Sequence, residues 1–192
     1  MPITHPLLDR NESILAFNTR VLDWAGREEI PLLERLRYLS IVSSNLDEFF
    51  EVRMADLLDA ARTHQQEGEF TEQAFYNVSQ KAHDLVAKQY DILRYDLYPA
   101  LEAHGIHVVS HGARTPEQRR WVKQFFETQV RPLLMPVGLD PAHPFPLVAN
   151  KSLNFIVKLG GQNALGRSNS IAILKIPRAL PRLIRMPASV SN

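Results

Sequence analysis

The residues best equipped for chemistry are crowded into one stretch, Ser43-Ser44-Asn45-Leu46-Asp47-Glu48-Phe49-Phe50-Glu51-Val52-Arg53. Two adjacent carboxylates could hold Mg²⁺ or serve as acid and base. Arg53 could pair with a carboxylate or face a phosphate. Physically the string reads first as a helix start: Asn45 is a good N-cap residue, Glu48 stands three positions on, where a capping box wants it, and Asp47 and Glu48 suit the positive end of a helix dipole. Spacing alone therefore favours capping for the two acids and leaves both roles of Arg53 open. Asn45 also keeps two readings. A helix N-terminus carries free N–H groups and partial positive charge, so a capping Asn can stand beside a bound nucleotide.

Little else announces a site. There is no Gly-x4-Gly-Lys-Ser/Thr loop and no Gly-x-Gly-x-x-Gly, and Gly160-Gly161 has a plain hairpin explanation. Of the seven histidines, His107 and His111 stand four apart in a strand-to-loop context, where that spacing does not share a helical face. His143 lies among prolines, so we expect no metal site here. With no cysteine, disulfides, thiolate metal sites and a Cys nucleophile are excluded, and no Ser-His-Asp set has a local signature.

The elements that must carry the central stretch read as helices. Ile14, Phe17, Val21 and Trp24 recur at three- and four-residue steps and predict the buried face of a first helix. Pro31 suits the first turn of a second helix, with Leu32, Leu36, Leu39 and Ser43 on one face and Leu33 and Val42 beside them. A third helix is predicted from about residue 45, with Phe50, Met54, Leu57, Leu58 and Ala61 inward and a polar end closed by Gly68. The fourth, over about 71–104, carries Phe75, Val78, Ala82, Leu85, Gln89 and Ile92 in one row and Val86, Leu93, Leu97 and Leu101 in another. Pro99 should kink it, and Gly105 should stop it. Two apolar rows on one long helix imply neighbours on two sides, hence a bundle.

After Gly105 the character changes. Residues 106–109 read as a short strand. Thr115 caps a helix with Pro116 at its first position, and Trp121, Val122, Phe125, Phe126 and Val130 are its expected buried side. The proline-rich run 132–146 reads as irregular. Residues 153–159 and 171–176 read as two strands of a hairpin, and 177–187 as a turn or short helix. So few elements bury little, and we expect this half to be incomplete and the chain a truncated piece of a longer protein.

Composition agrees with two units. At 192 residues, 45% apolar and 22% charged, the chain is of globular type. The net charge of +1 conceals a split: residues 1–105 hold 10 Lys/Arg against 18 Asp/Glu, whereas residues 106–192 hold 12 against 3. The basic half either packs on the acidic half or faces a polyanion. No apolar run approaches the ~20 residues that span a bilayer. The start lacks a signal-peptide layout, so a cytoplasmic location is expected, with peripheral membrane association left open.

With Phe17-Asn18-Thr19-Arg20-Val21-Leu22 and Pro31-Leu32-Leu33-Glu34-Arg35-Leu36-Arg37-Tyr38-Leu39 upstream, the central stretch resembles the amino-terminal region of the long polyphosphate kinases. The likeness is strongest from Phe17 to Arg53, fair through Leu134-Met135-Pro136-Val137-Gly138-Leu139-Asp140-Pro141-Ala142-His143-Pro144-Phe145-Pro146, and loose in the hairpin. It implies a mainly α chain: a helical domain over 1–105, then an incomplete α/β (α+β) head domain over 106–192. It implies an enzyme that reversibly transfers the terminal phosphate of ATP to polyphosphate through a phosphohistidine, with Mg²⁺ as cofactor. In that family the Asn of the Ser/Asn-Asn-Leu-Asp-Glu-Phe motif contacts ATP, and Asn45 occupies its position; Ser44 stands where the family often has Asn. The catalytic His and the metal ligands belong to the family's carboxy-terminal half, so this chain alone should lack phosphoryl transfer. The implied partners are ATP or ADP, polyphosphate and further copies of the enzyme, without nucleic acid. The competing class is a non-catalytic helical interaction module with a basic, polyanion-binding half.

Overall fold

A computed structural model describes residues 9–67, 70–139, 145–149, 151–160 and 171–191. The chain forms two compact units, Met1–Val108 and Val109–Asn192. The first is helical: α1 (Arg10–Ala25), α2 (Leu32–Glu48), α3 (Met54–Arg62), α4 (Glu72–Asp91) and α5 (Tyr98–Ala103). Wider π turns at Phe49–Arg53 and Ile92–Leu97 join α2 to α3 and α4 to α5 without breaking the rod. No helix among the described residues is long and apolar enough to cross a membrane.

The core is built from one stripe of each long helix. Leu15, Leu22 and Ala25 of α1 meet Leu39, Val42 and Leu46 of α2, Leu57 of α3, and Val78, Ala82 and Leu85 of α4. On the fourth helix the first row predicted from spacing is buried, down to Gln89 and Ile92, and the second is buried at Leu97 and Leu101. Elsewhere the expectation holds in part, since Leu39 and Val42 of α2 and Met54 and Leu57 of α3 are buried, and in part the stripe is rotated by about one residue. On α1 the expected anchors Phe17 and Trp24 are 51% and 41% exposed, and Leu15, Asn18, Leu22 and Ala25 lie inside. Leu33, Ser43, Phe50 and Leu58 likewise face outward, and Phe49 takes the interior place. Two apolar rows at the same spacing compete on these helices, and packing selects the one whose side chains fit the neighbouring ridges.

Polar groups stitch the helices where apolar contact ends. The buried Arg35 donates from Nε to the carbonyl of Ala25 at 2.8 Å, satisfying an orphan acceptor at the C-terminus of α1. Gln89 donates to the Leu39 carbonyl at 3.0 Å. Asp9 caps α1 through Asn11 N–H and Glu12 N–H, and Thr71 caps α4 through Ala74 N–H. The third helix ends with His64 in the left-handed region (φ 53°), and Gln65 N–H bonds back to the Ala60 carbonyl at 2.9 Å, a closure assigned from sequence to Gly68. Gly68 itself lies outside the described residues. Gly105 does stop α5: at φ 76° it lets Ile106 N–H reach the Leu101 carbonyl at 2.9 Å. Pro99 has no N–H for the carbonyl one turn back, and the widened π turn immediately precedes α5.

The second unit is mixed. In α6 (Pro116–Phe125) Thr115 and Gln118 form a reciprocal capping box, and Trp121 stacks on Phe125 at 5.3 Å. The buried side predicted for α6 is only half-buried, and Phe126 is exposed. Three strands, β1 (Pro136–Gly138), β2 (Asn154–Lys158) and β3 (Ile171–Lys175), form an antiparallel sheet in the order β1-β3-β2. Register pairs Val137 and Ile156 with Ile173. The hairpin strands predicted at 153–159 and 171–176 are thus present. Residues 106–109, read as a strand, have no pairing partner among the described residues and form none, and the run 132–146, read as irregular, contributes β1. Residues 177–187 turn rather than coil into a helix, and a final turn, α7 (Ala188–Ser191), receives a hydrogen bond from Gln118 to the Val190 carbonyl at 3.3 Å. His143 and residues 161–170, the hairpin's connection, lie outside the described residues.

Candidate functional site

The central stretch does not start a helix. Asn45 lies inside the last turns of α2, and its carbonyl accepts from Phe49 N–H as the chain enters the π turn. The N-cap and capping-box readings of Asn45 and Glu48 are therefore corrected. No Gly or Pro interrupts residues 32–62, and Val42, Leu46 and Phe49 continue one buried stripe across the point where the break was expected. Burial of that stripe outweighs a local capping preference of about 1 kcal/mol. Asp47 and Glu48 consequently stand at the C-terminal end of α2, exposed, and not at the positive end of a dipole.

A cleft of about 380 Å³ opens where this bend meets α1. One wall is Ile14, Phe17 and Asn18 of α1; the other is Asn45 and Glu48 of α2 with Val52 and Arg53 of the π turn. The turn matters to the second wall. Eight residues of ordinary α-helix would rotate Arg53 about 80° away from Asn45, and one inserted residue brings it back to within about 20°. Asn45 and Arg53 so share one cleft. Phe17 is apolar and exposed at its edge, with the Arg20 guanidinium 6.0 Å from its ring centroid.

Inside the cleft the polar groups are ordered. Asn18, only 1% exposed, donates from Nδ2 to the Ile14 carbonyl at 2.9 Å. Its Oδ1 accepts from Nδ2 of the half-buried Asn45 at 2.8 Å. Arg53 makes no ion pair with the described residues. Asn18 was not singled out from sequence as a site residue, although the signal was present: a carboxamide on the stripe of Leu15, Leu22 and Ala25 must find a hydrogen-bond partner.

The described residues do not fit a Mg²⁺ site. Asp47 and Glu48 are successive helical residues and diverge by about 100°. Among the described residues no three of His, Cys, Asp or Glu gather as ligands. His107 faces Glu102 at 3.5 Å, and His111 Nδ1 lies 3.3 Å from Arg114.

The chain thus joins a helical unit, whose polar cleft keeps a spare amide and a guanidinium, to a basic mixed unit. Its lineage is definite. The family model described as the polyphosphate kinase N-terminal domain matches residues 7–109, and that of the polyphosphate kinase middle domain matches residues 117–192. The chain belongs to the polyphosphate kinase family. It is 47% identical to polyphosphate kinases of Burkholderia cenocepacia (strain HI2424) and Paraburkholderia phytofirmans, each alignment covering all of this chain and 28% of the relative. The crystal structure of polyphosphate kinase from Porphyromonas gingivalis superposes with a TM-score of 0.73 at 30% identity, over 96% of this chain and 27% of that one. The chain thus spans a little over a quarter of the length of these relatives.

Proposed function

We propose that this chain serves as the amino-terminal part of a polyphosphate kinase and supplies one wall of its ATP site. The supporting observation is the Asn45 cleft. It places a carboxamide with bonding capacity to spare and an arginine without an ion pair among the described residues on one face of a continuous helix. Arg53 faces the phosphate end of the nucleotide, where a guanidinium forms charge-assisted hydrogen bonds to phosphate oxygens. The catalytic His and the Mg²⁺ ligands are supplied from outside residues 1–192, and this chain alone does not transfer phosphate. Residues 106–192 open the head domain. The full enzyme works in the cytoplasm as a homo-oligomer on ATP or ADP and polyphosphate.

In the full-length enzyme, Asn45→Ala should raise the KM for ATP about tenfold while lowering stability by about 1–3 kcal/mol, a shift of a few degrees in melting temperature, since the buried Asn18 Oδ1 is left without its donor. Equal ATP use with a lowered melting temperature would reduce Asn45 to a structural residue.

A further inference from the structure

Asn18 touches the cleft only at its inner wall, yet it decides what the cleft presents. A backbone carbonyl can only accept a hydrogen bond, so the 2.9 Å contact to the Ile14 carbonyl must be made by the Nδ2 of Asn18. That fixes which way the Asn18 carboxamide faces and turns its Oδ1 toward Asn45. An Oδ1 can also only accept, so the 2.8 Å contact must be made by the Nδ2 of Asn45. A polarity that starts at a helix carbonyl is passed through two amides. What Asn45 has left is one N–H and its own Oδ1, a donor and an acceptor in fixed order.

This pair suits one kind of ligand surface. A phosphate offers acceptors only, and the Oδ1 and the nearby Glu48 carboxylate would both oppose it; Arg53 supplies the cation at the other end of the wall. A nucleobase edge offers donors and acceptors side by side. Adenine presents the N6 amino donor next to the N7 acceptor, the complement of a carboxamide, whereas the matching edge of guanine presents two acceptors, O6 and N7. The exposed Phe17 ring, with Ile14 and Val52, gives the same cleft apolar surface for the flat face of a base.

We propose that Asn18 is a positioning residue that locks the Asn45 carboxamide and so sets preference for adenine over guanine nucleotides. The inference rests on the reading of this cleft as the ATP site.

The test is kcat/KM for ATP and for GTP in the full-length enzyme, read as a ratio from one preparation, so that the fraction of folded protein cancels. Asn18→Leu removes the relay and lets Asn45 turn; the ATP:GTP ratio should fall about tenfold, through the KM for ATP more than through kcat. Asn18→Thr should restore most of the ratio. A Thr hydroxyl can donate to the carbonyl one turn back and still accept from Asn45, and Thr19 already makes that backbone bond, to Leu15 at 2.9 Å. In an Asn45→Ala background, Asn18→Leu should move the ratio no further. A ratio within twofold of wild type in Asn18→Leu, or an effect that persists undiminished without Asn45, overturns the proposal. If Asn45→Ala changes neither ATP use nor the ratio, the ATP-site reading itself has failed, an outcome distinct from failure of the relay alone.

Discussion

Helix α1 borders two hollows, and the contrast between them separates the proposed binding site from a structural joint. One is the Asn45 cleft; the other, of about 440 Å³, runs between α1 and α4 and carries two lysines. By number of cations the second is the better anion site, although Glu12 and Asp84 line it too. Its lysines are already answered, however, since Lys81 Nζ lies 2.6 Å from Glu12 and Lys88 Nζ lies 2.6 Å from Asp23. In the Asn45 cleft the internal bonds do the opposite: they use one amide hydrogen of Asn45 and leave the remainder directed, with Arg53 without an ion pair among the described residues. Capacity left over after the protein has satisfied itself, rather than charge count, marks the site.

The hardest test of the contrast removes what the hollows share. Leu22 is fully buried on α1 between them, and Leu22→Ala should cost about 2–5 kcal/mol through lost burial and the cavity left behind. Denaturant titration should show the midpoint falling with an unchanged slope. ATP affinity of the remaining folded enzyme should stay near wild type, because Leu22 lines neither hollow. A selective loss of ATP affinity would mean that core and cleft are coupled.

A smaller effect sharpens the division of labour inside the Asn45 cleft. Arg53→Gln should raise the KM for ATP about fivefold, the scale of a half-exposed charge-assisted hydrogen bond, and the difference should shrink at high salt. Inhibition by adenosine, which has no phosphate, should be unaltered by Arg53→Gln and weakened by Asn45→Ala. If both nucleoside and nucleotide suffer equally from Arg53→Gln, the arginine holds the wall in shape rather than meeting phosphate.

How far these features could be read in advance depended on whether their cause is local. The row Val78, Ala82, Leu85, Gln89 and Ile92 was legible because it runs unbroken at helical spacing along α4, where the second row contributes only Val86. On α1 two apolar rows differ by one residue, and the polar Asn18 sits on the row that is buried, so local polarity pointed to the wrong one. The caps at Thr71 and Thr115 are local chemistry. Asn45 has the same capping chemistry but no chain break to cap, a fact determined by residues on both sides and by packing across the bundle. Neither the π turn that brings Arg53 round nor the Asn18–Asn45 bond, 27 residues apart, has a local signature. Strand β1 exists only because β3 pairs with it, whereas residues 106–109 have strand composition and no partner among the described residues.

The smallest expected effect is the most direct check on the contrast, because it asks whether the lysine-lined hollow is as occupied as its geometry says. Lys81→Met and Lys88→Met each remove one partner of an ion pair whose side chains are about half exposed. Such pairs contribute about 0.2–1 kcal/mol, partly screened by salt. Each variant should therefore lower stability by no more than about 1 kcal/mol, less at high salt, with KM for ATP unmoved. The double variant with Glu12→Gln should add little to Lys81→Met, since removing either partner already ends the interaction. A rise in the KM for ATP or for polyphosphate in Lys88→Met, at unchanged stability, would show that the lysine meets a ligand despite Asp23. The rule that spare bonding capacity marks the site would then fail at the hollow where it makes its clearest negative prediction.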